Sequence, residues 1–181
     1  QEDNYRQDHY QFHWNEKISF LWTVSLGLNY TYGRGYYEEY NDLFGGNTNF
    51  TYLQLTPFEV GGETIMETEN VTRKWLNNNY YVFTASANYI KNKTRLDFGL
   101  LLSRYLGDHF GTLLWAQNPG DILPKGRFYE NRGDKKELNF YVKLEQPLND
   151  QITGFVDIQY RNVDYFVNGV VAGPQLFEVD S

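Results

Sequence analysis

"ISFLWTVSLGLNYTY", residues 18–32, sets Ile18, Phe20, Trp22, Val24, Leu26, Leu28, Tyr30 and Tyr32 at alternate positions. Small or polar residues fill the gaps, and only Leu21 breaks the pattern. An extended chain turns every second side chain to the same face, whereas a helix needs apolar residues three and four apart. The stretch therefore predicts a β-strand of about fifteen residues. Soluble strands usually run about five or six.

The same alternation recurs along the chain. "HYQFHW" (9–14) aligns Tyr10, Phe12 and Trp14, and "NNYYVFTASANYI" (78–90) aligns Tyr81, Phe83, Ala85, Ala87 and Tyr89. "RLDFGLLLS" (95–103), "ELNFYVKLE" (137–145) and "QITGFVDIQYR" (151–161) follow, the last two with polar residues at nearly every other position. Six strands are predicted, near 5–14, 18–32, 80–90, 94–105, 137–146 and 151–165. "NEK", "KNK" and "PLND" make short turns between them, whereas 33–79 and 106–136 read as long loops. The fold class is all-β, an antiparallel up-and-down meander. Short turns at one end and long loops at the other are the asymmetry of outer-membrane barrels. The charges Arg95, Asp97, Lys143, Glu145, Asp157 and Arg161 all fall opposite the apolar residues, as a lipid-facing wall requires, because a Lys or Arg on its lipid face costs ~2–4 kcal/mol at the bilayer midplane.

Composition fits this reading. Aromatic residues make up 18% of the 181, with Tyr (16) and Phe (13) supplying most, while mean hydropathy stays at -0.62. The chain has no Cys, which removes disulfides and thiolate chemistry. A net charge of -7 disfavours an extended nucleic-acid contact, which runs on clustered Lys and Arg. No run of eighteen apolar residues occurs, so no transmembrane helix is predicted, and a membrane strand needs none. Six strands do not close a barrel, since even small ones use eight. The chain reads either as part of a larger wall or as a curved sheet whose apolar face is covered by its own loops.

"YRQDHYQFHWNEKIS", "YTYGRGYYEEY", "RKWLNNNYY", "GDHFG" followed by "LLWA", and "FYENRGDKKELNFYVKL" with "DIQYRNVDYFVNG", in that order, resemble the barrel of TonB-dependent outer-membrane receptors of Bacteroidetes type. The resemblance spans nearly the whole chain. It implies a barrel of the 22-stranded, plugged kind, of which residues 1–181 would form an internal part of the wall, with no plug domain. It also implies a bacterial outer-membrane location and import of a scarce nutrient (siderophore, haem, cobalamin or glycan) powered through TonB. The partners so implied are outer-membrane lipid, the plug and remaining strands, and TonB acting through the plug. The rival reading is a soluble lipocalin-like barrel that binds a small ligand, with "FTYLQLT" (50–56) as one candidate for an added strand.

Candidate sites are sparse. In "GRGYYEEYN" (33–41), Tyr36 and Tyr37 suit an aromatic girdle where the wall meets the outer interface. Glu38 and Glu39 suit a cation or ligand patch at the mouth, although neighbours on a strand point to opposite faces. Asp108, His109 and Trp115 fall at a junction of wall and loop that could touch a ligand. Lys143, Glu145, Asp157 and Arg161 are predicted to line the lumen and to form cross-strand ion pairs. His9 and His13, four apart on a strand, stand about 13 Å from each other, too far to share a metal. No GxxxxGK[ST], GxSxG or HExxH occurs. The sequence thus points to no catalytic residue, metal or cofactor, and an enzyme is not expected.

Overall fold

The computed structural model of the protein describes residues 1–119, 126–170 and 176–180. Seven strands form one antiparallel sheet: β1 (Glu2–Glu16), β2 (Trp22–Asn41), β5 (Asn70–Lys91), β6 (Thr94–Ala116), β7 (Arg127–Pro147), β8 (Thr153–Val170) and β9 (Leu176–Asp180). Sheet neighbours are also neighbours in the chain, apart from an insertion between β2 and β5, so the topology is a meander. That insertion holds a helical turn, α1 (Phe50–Leu53), and a small hairpin of β3 (Phe58–Val60) and β4 (Glu63–Ile65).

The tight turns follow from local chemistry. Ser19 Oγ accepts the amides of Leu21 and Trp22, and Asn149 Oδ1 accepts those of Gln151 and Ile152. Asn92 takes the left-handed conformation (φ 54°) that Asn tolerates between β5 and β6. Gly61 and Gly62, both at positive φ, close the β3–β4 hairpin, where most side chains would be strained.

The strands outrun their prediction. β2, β5, β6 and β7 are 20 to 23 residues long and take up much of the segments expected as loops at 33–79 and 106–136. β9, which pairs with the end of β8, adds a strand beyond the six predicted. "FTYLQLT" is no strand: Asn49 caps a helical turn by accepting the Thr51 amide at 2.8 Å, and Gln54 ends it at φ 56°.

The register gives each face of the sheet its content. One face carries the rows Trp22–Tyr89–Leu96–Leu144–Val156, Val24–Ala87–Phe98–Val142–Ile158 and Leu28–Phe83–Leu102–Leu138. The other carries Ser25–Ser86–Gly99–Tyr141 and Thr23–Asn88–Asp97–Lys143–Asp157. On this polar face tyrosines occupy the space over glycines: a side chain at Gly99 would collide with the Tyr141 ring, and one at Gly33 with the Tyr5 hydroxyl.

The buried hydrophobic core lies at neither face's centre. Phe50, Leu53 and Leu55 of the insertion pack on Leu113, Ala116 and Phe128 at the loop end of the sheet, with Tyr52, Phe58, Ile65 and Tyr129 around them. Two bulges make this possible. The register slips between Val71 and Thr72 against β6, and between Gly111 and Thr112 against β7. The second lets Phe128 and Tyr129 both reach the polar side over Gly111.

Candidate functional site

Three surfaces can act on something outside the chain: the apolar face, the polar face, and the cap that folds over the polar face's outer end.

None of the described residues covers the apolar face. Phe12 is 57% exposed, Leu28 51%, Leu102 42%, Phe140 40% and Ile158 60%. Of the two alternatives, a larger wall or a sheet covered by its own loops, the second is not what the 42–69 insertion does, since it packs on the opposite side. Aromatic residues bracket the apolar rows. Trp22 meets Tyr89 and Phe98 at the turn end, with ring centroids 5.0 and 6.3 Å apart. Tyr10, Tyr30 and Tyr81 stack across β1, β2 and β5 at 5.9 and 4.9 Å toward the loop end. A shallow hollow of about 760 Å³ crosses this face over Phe12, Leu28, Phe83, Leu102 and Leu138.

Farther out the same face turns polar and aromatic. Tyr36 packs against Trp75 at 4.9 Å, Trp75 against Phe110 at 6.0 Å, and the guanidinium of Arg73 sits 4.1 Å over Tyr36. Glu38 accepts from Arg73 Nε at 2.8 Å, and Asp108 accepts from Arg132 Nε at 2.8 Å. Trp115 belongs to this face too, 46% exposed.

Tyr37, Glu39 and His109 take the polar face. Glu39 pairs with Lys74 at 2.8 Å, and Tyr37 lies 5.3 Å from the Lys74 ammonium. "GRGYYEEYN" therefore divides: Tyr36 and Glu38 turn one way, Tyr37 and Glu39 the other, and each carboxylate holds a cation of the chain itself. Burial pulls Lys74 down, but the hydrogen bond it donates to Glu39 and the nearby Tyr52 and Tyr37 outweigh it, so its pKa stands above the ordinary lysine value. Tyr129, half-buried beside them, is pushed up to about 12 by its burial. His109, half-buried, donates from Nε2 to Asn78 Oδ1 at 3.2 Å, and burial lowers its pKa.

Asn78 is the hub of a cluster that sequence reading missed. It also accepts from the Tyr105 hydroxyl at 2.6 Å and donates to that of Tyr5 at 3.2 Å. These residues are far apart in the chain and only the strand register unites them. A hollow of about 310 Å³ lies alongside, walled by Asn78, Tyr80, Tyr105 and Lys135.

Lys143, Glu145, Asp157 and Arg161 share the polar face. Lys143 and Asp157, directly opposed, pair at 3.4 Å, whereas Arg161 pairs with Glu137 at 2.8 Å. Glu145 stands opposite Phe155. Among the described residues no group of three His, Cys, Asp or Glu could hold a metal ion.

The cap is fixed by a buried amide network. Asn70, fully buried, accepts from Asn41 Nδ2 at 2.9 Å and donates to the carbonyls of Asn47 and Thr68 at 3.0 Å. Buried amides so satisfied hold one geometry. No helix among the described residues is long and apolar enough to cross a membrane, a fact silent on strands. Comparison with protein-family models, curated proteins and solved structures finds no match to this chain.

Proposed function

We propose that the chain is a segment of an outer-membrane β-barrel wall, its apolar face toward lipid and its polar face toward a lumen, in an active transporter of the TonB-dependent kind. One observation carries the reading: an apolar band that holds no charge on β2 and β5 to β8 from the Trp22 row to the Leu28 row, edged by Tyr10, Tyr30 and Tyr81 toward the loop end, lies uncovered by the described residues on one face of a sheet whose other face is polar. On β2 the uncharged run from Trp22 to Tyr32, matched on β5, climbs roughly 34 Å at about 3.4 Å per residue, whereas on β6 to β8 charge enters at the Tyr30 row. A tilt of about 40° turns that into a height of roughly 26 Å, against the ~25 Å apolar band of such barrels. Water makes so large an exposed patch unfavourable, and an open strand edge invites pairing. β1 presents such an edge, and in this reading a neighbouring barrel strand pairs with it.

The cap then leans inward over the lumen at the extracellular mouth and forms part of the rim that an imported nutrient meets. The plug and TonB complete the machine, and the chain's own part is the wall and the rim. A lipocalin-like module would instead hide its apolar face inside a closed barrel, whereas Phe12 and Ile158 remain more than half exposed.

The test is sedimentation of the 181-residue chain with and without detergent. Aggregation that detergent reverses supports the reading. A compact detergent-free monomer contradicts it and favours the lipocalin-like module.

A further inference from the structure

The apolar hollow changes character along its outer rim. One cross-strand row runs Tyr10, Tyr30, Tyr81, Arg104, Lys136, Asp164, so the rim is aromatic over β1, β2 and β5 and charged over β6, β7 and β8. The next row toward the turns, Phe12, Leu28, Phe83, Leu102, Leu138, is apolar from β1 to β7 and floors the hollow, ending at Asn162 on β8.

The three charges differ in what they are free to do. Arg104 is committed, since its fork grips Asp134 through Nε at 3.1 Å and a terminal nitrogen at 2.8 Å. Lys136 and Asp164 stand directly opposite each other on β7 and β8, both exposed, and both line the hollow. Such a pair has Cβ atoms about 5 Å apart and reach enough to join, yet among the described residues neither forms an ion pair, although Lys136 stands near enough to Asp134 to help Arg104 lower its pKa. Among the described residues Asp164 receives hydrogen bonds from Asn162 alone, both long at 3.4 Å. A cation and an anion thus stand side by side, each with hydrogen-bonding capacity to spare, at the edge of an apolar floor.

We infer that this rim seats the headgroup of a zwitterionic phospholipid, its phosphate on Lys136 and its primary ammonium on Asp164, with the acyl chains lying along Phe12, Leu28, Phe83, Leu102 and Leu138. The inference rests on the reading of the apolar face as lipid-facing and adds to it one defined lipid position. Charge complementarity selects the headgroup. The two free charges sum to zero, so a purely anionic headgroup gains at Lys136 and loses at Asp164. A trimethylated ammonium has no N–H to give the carboxylate, whereas a primary ammonium donates charge-assisted hydrogen bonds. The lysine stem can lie on the apolar floor while its ammonium reaches the phosphate.

The test is native mass spectrometry of the full chain in dodecyl maltoside micelles, with phosphatidylethanolamine, phosphatidylcholine and phosphatidylglycerol added in competition. Retention of phosphatidylethanolamine roughly tenfold above the other two is expected, the factor one charge-assisted contact is worth. Lys136→Glu should abolish the preference, and Lys136→Glu combined with Asp164→Lys should restore it. Both positions are exposed, so the variants should keep the fold, with far-ultraviolet circular dichroism as the check. Equal retention of the three lipids, a preference for phosphatidylglycerol, or a preference that survives Lys136→Glu overturns the inference while leaving the lipid-facing reading intact. A chain that stays monodisperse without detergent and retains no lipid overturns both.

Discussion

Leu100 and Leu101 are adjacent residues of one strand, and they offer the sharpest contrast between the two faces. Leu100 aligns with Ala85 and Phe140 in the apolar band, and Leu101 with Thr84 and Asn139 on the polar side. The same substitution, Leu to Arg, is made at each. An arginine on the lipid face near the midplane costs about 2–4 kcal/mol, which corresponds to a shift of roughly thirty- to thousandfold in the folding equilibrium at ~1.4 kcal/mol per tenfold. On the polar face an arginine at 101 joins a surface that already holds Arg161 and Lys143 across the neighbouring strands, and its guanidinium can stay hydrated. Its cost is that of ordinary mispacking, about 1 kcal/mol. The assay is urea unfolding of the chain reconstituted in phosphatidylcholine vesicles, followed by tryptophan fluorescence, with the midpoint and slope compared among the parent and both variants. Equal shifts at the two positions, or a larger one for Leu101→Arg, would refute the assignment of faces.

Other consequences concern the cap and the packing of the polar face. Phe50 is 1% exposed at the centre of the cap, so Phe50→Ala should remove about 3–5 kcal/mol and open the 42–69 insertion to limited proteolysis while the sheet stays protected. Asn70→Ala should loosen the same insertion by about 1–3 kcal/mol by stranding the carbonyls of Asn47 and Thr68, seen as faster amide exchange there. Lys74 and Tyr129 both have pKa values raised in the folded state. A raised value adds stability that is fully present below the unfolded pKa and disappears as pH climbs through the folded one. Cap docking should therefore hold to about pH 10 and fail as pH approaches 12, with part of the tyrosinate absorbance appearing late in an alkaline titration. Gly99→Val should drive Tyr141 off the sheet, lowering stability more than Gly45→Val, whose added side chain meets nothing within 4 Å.

The central strands were legible in the sequence because one physical demand governs them: a face without charge opposite a face with it. Trp22 to Tyr32 meets that demand at nearly every step. Beyond the band it lapses, and the pattern with it. On the same face as the aromatic ladder of Tyr36, Trp75 and Phe110 stand Arg34, Asn77, Asp108 and Arg132, so alternation no longer marks a strand and the outer third of the sheet read as loop. The bulges at "TLLWA" and "RFYE" shift the phase as well, which hid the continuation of β6 and the start of β7. Local capping by Asn49 overrode the β-propensity of "FTYLQLT". Glu38 and Glu39 were visible as neighbours on opposite faces, but Arg73 and Lys74, which engage them, come from 35 residues away and only the register supplies them. The Asn78 cluster was hidden for the same reason.

The claim that the apolar face meets lipid is tested most directly by a single reporter residue. With Trp14, Trp22, Trp75 and Trp115 replaced by Phe, one tryptophan is placed at position 100 or at position 101, and each chain is reconstituted with lipids brominated on the acyl chain. The account predicts strong quenching at 100 and little at 101. Equal quenching at both positions, or none at either, would contradict it.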